Sequence, residues 1–314
     1  FSRSASGSGE TADSSQTEQE ETSRDSRMKE MRFFLIPNLD KAGAAGYTQQ
    51  IVDKLRQLGG RCYADDYNEG KFADGLVEFV PFQQMIQQMD AVITIGGDGT
   101  IIRSCKRVMP YEKPMLGINV GRLGFLADIE INQLDLLEHL FTGEYQVEQR
   151  TLLQAVVKKL GTTGIFYALN DISVTKGGYA KIVDLEIYCN GRMIMDYRAD
   201  GVILSTPTGS TGYAMSAGGP IIDPGIDTIG LTPICPHSMF SRTILFSPNN
   251  VLEVHSKEVN NSANVVFSVD GERMMTLTSE DSVVITRADK TMGFIRLTQN
   301  NFCDMLNMKL LERG

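Results

Sequence analysis

Between Arg32 and Asn119, short apolar runs alternate with stretches whose apolar positions recur every three or four residues. Arg32–Ile36 reads as a buried strand, and Ala91–Ile95 is an apolar, β-branched run that ends at Gly96. Arg61–Ala64 and Met115–Asn119 are further strand candidates. A helix is predicted near Gly46–Leu58, where Ile51, Val52, Leu55 and Leu58 fall on one face, and Thr100–Met109 resumes that period after Gly96. Strands alternating with helices predict a parallel, doubly wound sheet.

Beyond a short helix near Leu134–Phe141 the period changes to two. Strand-like runs recur at Ala155–Leu160, Phe166–Val174, Val183–Cys189, Met193–Tyr197, Val202–Ser205, Val251–His255, Val265–Val269, Ser282–Thr286 and Phe294–Leu297. Asn190-Gly191 and Asp270-Gly271 are hairpin turn pairs, because both residues of such a turn need positive φ. Many short strands joined by turns predict an antiparallel sandwich. Phe302–Leu311 is amphipathic and expected to be helical. The fold class is therefore an N-terminal α/β, Rossmann-like domain over residues 28–128 and an all-β, sandwich-like domain over 129–298. A C-terminal helix in 299–314 is expected to return to the α/β domain. Residues 1–27 are rich in Ser, Thr, Gly and acidic side chains; they cannot bury enough apolar area to offset their ordering entropy, so a disordered tail is expected.

A length of 314 residues accommodates two cores. The net charge of -9 argues against nonspecific attraction to nucleic acid or to an anionic membrane surface. It leaves phosphate ligands open, because local backbone amides and metal ions hold those. No apolar stretch approaches the length of a membrane span. The five cysteines are scattered, without the close pair of a zinc site or a disulfide-like spacing, which points to reduced thiols and a cytoplasmic location.

The sharpest chemical signal is Gly96-Gly97-Asp98-Gly99-Thr100, between a strand and a helix. Glycines let a polyphosphate approach the backbone, and the N–H groups at the helix start face the anion. An aspartate there opposes anion binding unless it handles a proton or a metal, which makes Asp98 a catalytic candidate. The alternative is a tight turn with Asp98 as helix cap. Similar glycine–aspartate loops occur in lipid kinases and phosphofructokinases, so this element leaves the acceptor open.

A second constellation runs from Asp200-Gly201 to Thr206-Pro207-Thr208-Gly209-Ser210-Thr211-Gly212-Tyr213, and on to Ser216-Ala217-Gly218-Gly219-Pro220. Its hydroxyls donate and accept, which suits adenine edges and ribose oxygens. With Gly117–Leu126, Leu169-Asn170-Asp171 and Thr232-Pro233-Ile234-Cys235-Pro236-His237-Ser238, these ordered motifs resemble the NAD kinase family from about Arg32 onward. The resemblance implies transfer of a phosphoryl group from ATP to the 2′-hydroxyl of the adenosine ribose of NAD.

Carried over by position, it implies that Asp98 acts as base beside the ribose and that Phe125 packs on the dinucleotide. Asn170 would bond the adenine region, Asp171 the ribose, and Asp200 would lie near the nicotinamide carboxamide. Thr211 and Ser216 would contact adenine and Tyr213 the pyrophosphate, while Arg198 would help to hold phosphate. Gly96, Gly97, Gly99, Thr100, Thr208 and Gly212 belong to the same nucleotide-binding segments. The resemblance further implies Mg²⁺ or another divalent cation carried by the ATP, no metal cage of the protein's own, and a homodimer or homotetramer. Two positions depart from the family pattern: Asp171 stands where Glu is common, and Gly212 where Ala is common. His237 is read equally as a nicotinamide-pocket or a loop residue. Arg103, Lys106 and Arg107 are expected to form a solvated helix face, with contact to nucleotide phosphate as the alternative.

Overall fold

The computed structural model describes residues 30–311, except residues 74, 122–123, 160–161, 179–181, 238–240 and 258–264. The expected disordered tail lies outside the described residues, as do Leu160, Arg122 and Leu123 of the second glycine motif, Ser238, and the last three residues.

The α/β unit begins with β1 (Arg32–Pro37), α1 (Ala44–Gln57), β2 (Arg61–Ala64) and β3 (Val77–Phe79). It continues through α2 (Phe82–Met85), β4 (Ala91–Gly96), α3 (Asp98–Val108), β5 (Met115–Asn119) and β6 (Ile129–Glu130). The strands are parallel in the order β3-β2-β1-β4-β5. Alternate side chains leave opposite faces of the sheet. Phe33, Leu35, Ile93 and Ile95 thus pack with Ile51, Val52 and Leu55 of α1. Phe34 and Val92 pack with Ile101, Cys105 and Val108 of α3 on the other face. The strand order reverses between β1 and β4, and in such sheets ligands bind beyond the strand C-termini at that point.

The core of this unit runs past residue 128, where the sequence pattern put a boundary. β6 pairs with β5, and Leu137, Leu140 and Phe141, at and within α4 (Glu138–Thr142), pack in the core beneath α1.

The second unit comprises β7 (Gln146–Lys159), β8 (Thr162–Ala168), β9 (Asp171–Lys176), β10 (Val183–Cys189), β11 (Arg192–Ala199) and β12 (Gly201–Ser205). After α5 (Tyr213–Ser216) come β13 (Ile229–Ile234), β14 (Ile244–Phe246), β15 (Leu252–Ser256), β16 (Val265–Val269), β17 (Glu272–Leu277) and β18 (Ser282–Arg296). One antiparallel sheet has the order β14-β13-β12-β9-β16-β17. It faces an antiparallel wing made by β11, β10, β15, β18, β7 and β8, and their inner residues, among them Val174, Leu185, Tyr197, Leu204, Phe267 and Ile285, form one buried core. Both hairpin pairs take the expected conformation, with φ of 50° and 76° at Asn190-Gly191 and again at Asp270-Gly271.

Two expected strands are drawn differently. Phe166–Val174 is broken at Leu169-Asn170, where the chain passes from one sheet to the other and the Asp270 carboxylate accepts the N–H groups of Leu169, Asn170 and Asp171. The expected Ser282–Thr286 and Phe294–Leu297 merge into one strand, β18, which ends at Arg296 and has a register shift between Arg287 and Thr291 that interrupts the alternation. β18 pairs with β15 and β7 and then, at Phe294, with Met115 of β5, so a single strand enters both units. The final helix, α6 (Phe302–Leu311), brings the Lys309 ammonium to 4.9 Å from the Phe125 ring.

Candidate active site

Gly96 ends β4 and Asp98 opens α3, so the loop expected to bind phosphate stands at the strand-order reversal. Asp98 is fixed from outside its own helix. Its carboxylate accepts the N–H of Phe125 at 2.8 Å and of Leu126 at 3.1 Å. A Cβ on Gly124 would lie 1.7 Å from Asp98 Oδ1, so the second glycine motif leaves out the atoms that would displace the carboxylate. Thr100 Oγ1 accepts the Asn38 amide at 3.1 Å, which ties the loop to the end of β1.

Across the junction between the units, Asn170 and Asp171 sit at the start of β9, and Asp270 holds their backbone. The buried Asn170 Oδ1 has no hydrogen-bond donor among the described residues. Burial, reinforced by the Asp270 carboxylate, pushes the Asp171 carboxyl up to about 7, with Lys106 working in the opposite direction. The hydroxyl-rich segment folds against this turn. Thr206 Oγ1 donates to Leu169 O at 2.6 Å, and a Cβ on Gly209 would strike Asn170 O at 1.9 Å. A Cβ on Gly212 would lie 3.6 Å from Asn170 Nδ2 and 3.3 Å from Gly209 O, so the glycine leaves slightly more room here than an alanine would.

The structure distributes the remaining expected residues. Tyr213 is exposed, and its phenol is shifted up by burial first, then by Asp171, Asp200 and Cys235. Asp200 pairs with Lys176 at 2.7 Å. Ser216 is exposed on α5. Arg198 projects outward from β11, since Tyr197 and Ala199 take the core positions, and its carbonyl accepts the His237 N–H at 2.7 Å. The buried Thr208 hydroxyl is 3.4 Å from Arg150 Nη1.

A cleft of about 1120 Å³ lies between the units. Phe125, Thr208 and Thr211 line it together with Glu148, Arg150, Arg296 and Met305, whereas Asp98, Asn170, Asp171, Asp200 and Tyr213 do not. Glu148 accepts Arg150 Nη2 and Arg296 Nε, each at 2.8 Å. Burial opposes its charge, but the two guanidiniums outweigh that and hold its carboxyl below the ordinary range.

The expectation of a solvated face on α3 is corrected. Arg103 is exposed, but Lys106 reaches Val269 O and Glu272, each at 3.0 Å. Arg107 forks onto the buried Asp65 and covers the Phe82 ring at 4.1 Å. Sequence reasoning missed Asp270 as an organiser, because an Asp-Gly pair already has a sufficient reason to be a turn. It also missed Arg150, for which no local pattern existed.

The family model of the ATP-NAD kinase N-terminal domain matches residues 17–145, and that of the ATP-NAD kinase C-terminal domain matches residues 169–297. The NAD kinase of Thermoanaerobacter sp. (strain X514) is 36% identical over 282 residues, covering 89% of this chain and 98% of that protein. That of Natranaerobius thermophilus is 38% identical over 281 residues, covering 88% and 96%. Among solved structures, yeast NADH kinase complexed with NADH superposes with a TM-score of 0.81 at 24% identity, covering 90% of this chain and 87% of the other. An Archaeoglobus fulgidus NAD kinase in complex with ATP gives 0.67 at 22%, covering 90% and 99%; at these identities the likeness is one of fold. The glycine–aspartate loop on an α/β unit joined to an antiparallel β unit defines a two-domain phosphotransferase. Both domain matches and the close relatives place it more narrowly: the chain belongs to the NAD kinase family.

Proposed function

We propose that this chain transfers the terminal phosphoryl group of ATP to the 2′-hydroxyl of the adenosine ribose of NAD, giving NADP and ADP. The observation that carries the assignment of Asp98 as base is its fixed carboxylate at the tip of the glycine loop. The ribose oxygen attacks the γ-phosphorus, the bond from that phosphorus to the β,γ-bridging oxygen breaks, and the hydroxyl proton passes to Asp98. A free aspartate, with a pKa of about 3.9, is too weak a base to ionise a hydroxyl beforehand. In a loose transition state the proton leaves late, so the carboxylate orients the hydroxyl and then accepts.

The backbone of Gly96, Gly97, Gly99 and Thr100 cradles the donor phosphates. The divalent cation arrives on the triphosphate, held by its phosphates and by water. The unsatisfied Asn170 Oδ1 is an acceptor for the adenine amino group, and Asp171 receives a ribose hydroxyl. Phe125 packs on the dinucleotide, Thr208, Thr211, Gly212 and Ser216 line the adenine side, and Tyr213 meets the pyrophosphate. Asp200 serves the nicotinamide end, and Arg198 helps to hold phosphate.

The chain assembles as a homodimer or homotetramer, for which the exposed Met193 and Ile194 on the edge strand β11 offer an apolar surface. A cytoplasmic location fits its unpaired cysteines. The test is to incubate the purified chain with NAD, NADH or a lipid acceptor and a panel of donors (ATP, other triphosphates, polyphosphate), and to separate and quantify the phosphorylated product. Light scattering on the same sample gives its mass. ATP- and NAD-dependent NADP formation is expected; phosphorylation of a lipid instead, with no NADP, would overturn the assignment.

A further inference from the structure

Two chain segments leave the parallel sheet side by side where its strand order reverses: residues 38–41 after β1 and residues 97–98 after β4. They are laced together, because Asn38 N donates to Ile95 O at 2.9 Å and Asn38 Nδ2 to Thr100 Oγ1 at 3.1 Å. The turn, closed by Lys41 N on Asn38 O, carries the Lys41 side chain over the glycines. The half-buried Lys41 places its ammonium 3.2 Å from where a Cβ on Gly97 would stand, and 3.5 Å from that position at Gly121. Neither glycine has that atom.

An ammonium has three protons to donate. Among the described residues this one finds a single long bond, 3.5 Å to Val120 O, and no carboxylate. A partly desolvated cation without a counter-charge is unfavourable unless a ligand supplies one. The basic residues late in α3 are committed elsewhere, Lys106 to Val269 O and Glu272 and Arg107 to Asp65. Around Lys41 are two glycines, Gly97 and Gly121, that leave its ammonium uncovered, and the start of an eleven-residue helix, whose N–H groups favour an anion.

We infer that Lys41 is a donor-binding residue, its ammonium gripping the terminal phosphates of the nucleoside triphosphate over Gly97 and Gly121. The inference rests on the proposed phosphoryl transfer and adds to it a point charge on the donor. A charge there meets the negative charge that builds up on the departing diphosphate, so it serves both binding and turnover.

The test compares the full chain with Lys41→Met, which keeps the length and removes the charge, and Lys41→Arg, which keeps the charge. Steady-state rates give KM for Mg·ATP and for NAD, calorimetry gives ATP binding without NAD, and thermal melts report the fold. Lys41→Met is expected to weaken ATP by about tenfold or more, as for loss of a charge-assisted bond. KM for NAD should stay within about twofold, kcat should fall, and Lys41→Arg should recover most of the ATP affinity. An unchanged ATP affinity in Lys41→Met would overturn the inference. So would a parallel loss of ATP affinity, NAD affinity and melting temperature, which would make the side chain a tether for the Val120 carbonyl. The two readings fail separately: wild-type protein that makes no NADP removes the proposed reaction, while calorimetry still decides whether Lys41 holds the triphosphate.

Discussion

Asp98 has two tasks that share the same two oxygens. It accepts two backbone N–H groups from the neighbouring loop, and it is the proposed acceptor of the ribose proton. An ionised carboxylate has about four lone-pair directions, so both tasks fit. Asp98→Asn keeps the shape but turns an NH₂ toward a donor, and it removes the proton acceptor. Turnover is expected to fall at least about 100-fold while KM for NAD stays within a few fold, read from initial rates. Gly124→Ala tests the same point with Asp98 intact, since its Cβ would overlap Oδ1 and force the carboxylate aside. It is expected to lose turnover on the same scale, and a Gly124→Ala enzyme with wild-type kcat would mean that the carboxylate's position is immaterial. The glycine loop was legible in the sequence because Gly and Asp in that order have few purposes after a strand. Lys41 was not, because its meaning comes from the parallel pairing of β1 with β4, and nothing in Asn38-Leu39-Asp40-Lys41 announces that pairing.

At the scale of elements, α3 links the two halves of the site. It begins at Asp98, and near its other end Lys106 bonds Val269 O and Glu272 beside the Asp171–Asp270 pair. With Asp171 raised to about 7, the folded protein holds this proton more tightly than the unfolded chain, whose aspartate titrates at roughly 3.9. The folded state therefore binds more protons between these values, and stability falls as pH rises through that window, then levels off above it. In melts from pH 4 to 9 without nucleotide, Asp171→Asn is expected to lose less stability than wild type across the window. Lys106→Met removes the cation that opposes the shift and should carry the loss to higher pH. Parallel curves for wild type and Asp171→Asn would rule this out. Strand β9 was foreseen only as part of a longer run, because the break at Asn170 depends on a carboxylate from a distant hairpin, which local alternation cannot register.

At the scale of the molecule, the change of period from helical to alternating made the two-unit plan visible in the sequence. The return of β18 into the parallel sheet was not visible, because strand pairing is nonlocal and polar residues interrupt that strand where its register shifts. Asp128 secures this return. Its almost fully buried carboxylate accepts Leu297 N at 2.6 Å, Thr298 N at 3.1 Å and Thr298 Oγ1 at 3.0 Å, and faces Arg296 Nη1 at 3.6 Å. From Arg296 the charges continue through Glu148 and Arg150 to Thr208, along the wall of the cleft. Losing Asp128 leaves two buried N–H groups and the Thr298 hydroxyl unmet, while Arg296 keeps Glu148, so Asp128→Ala is expected to cost about 3 kcal/mol. Because β18 enters both units, loss of the clamp should lower the urea midpoint of one shared transition. The chain has no Trp, so far-UV circular dichroism and tyrosine fluorescence are the two probes to compare. Coincident curves with a lowered midpoint are the expected outcome. Two separated transitions in the wild-type protein would mean that the units fold independently, and that Asp128 fastens a loop rather than the molecule.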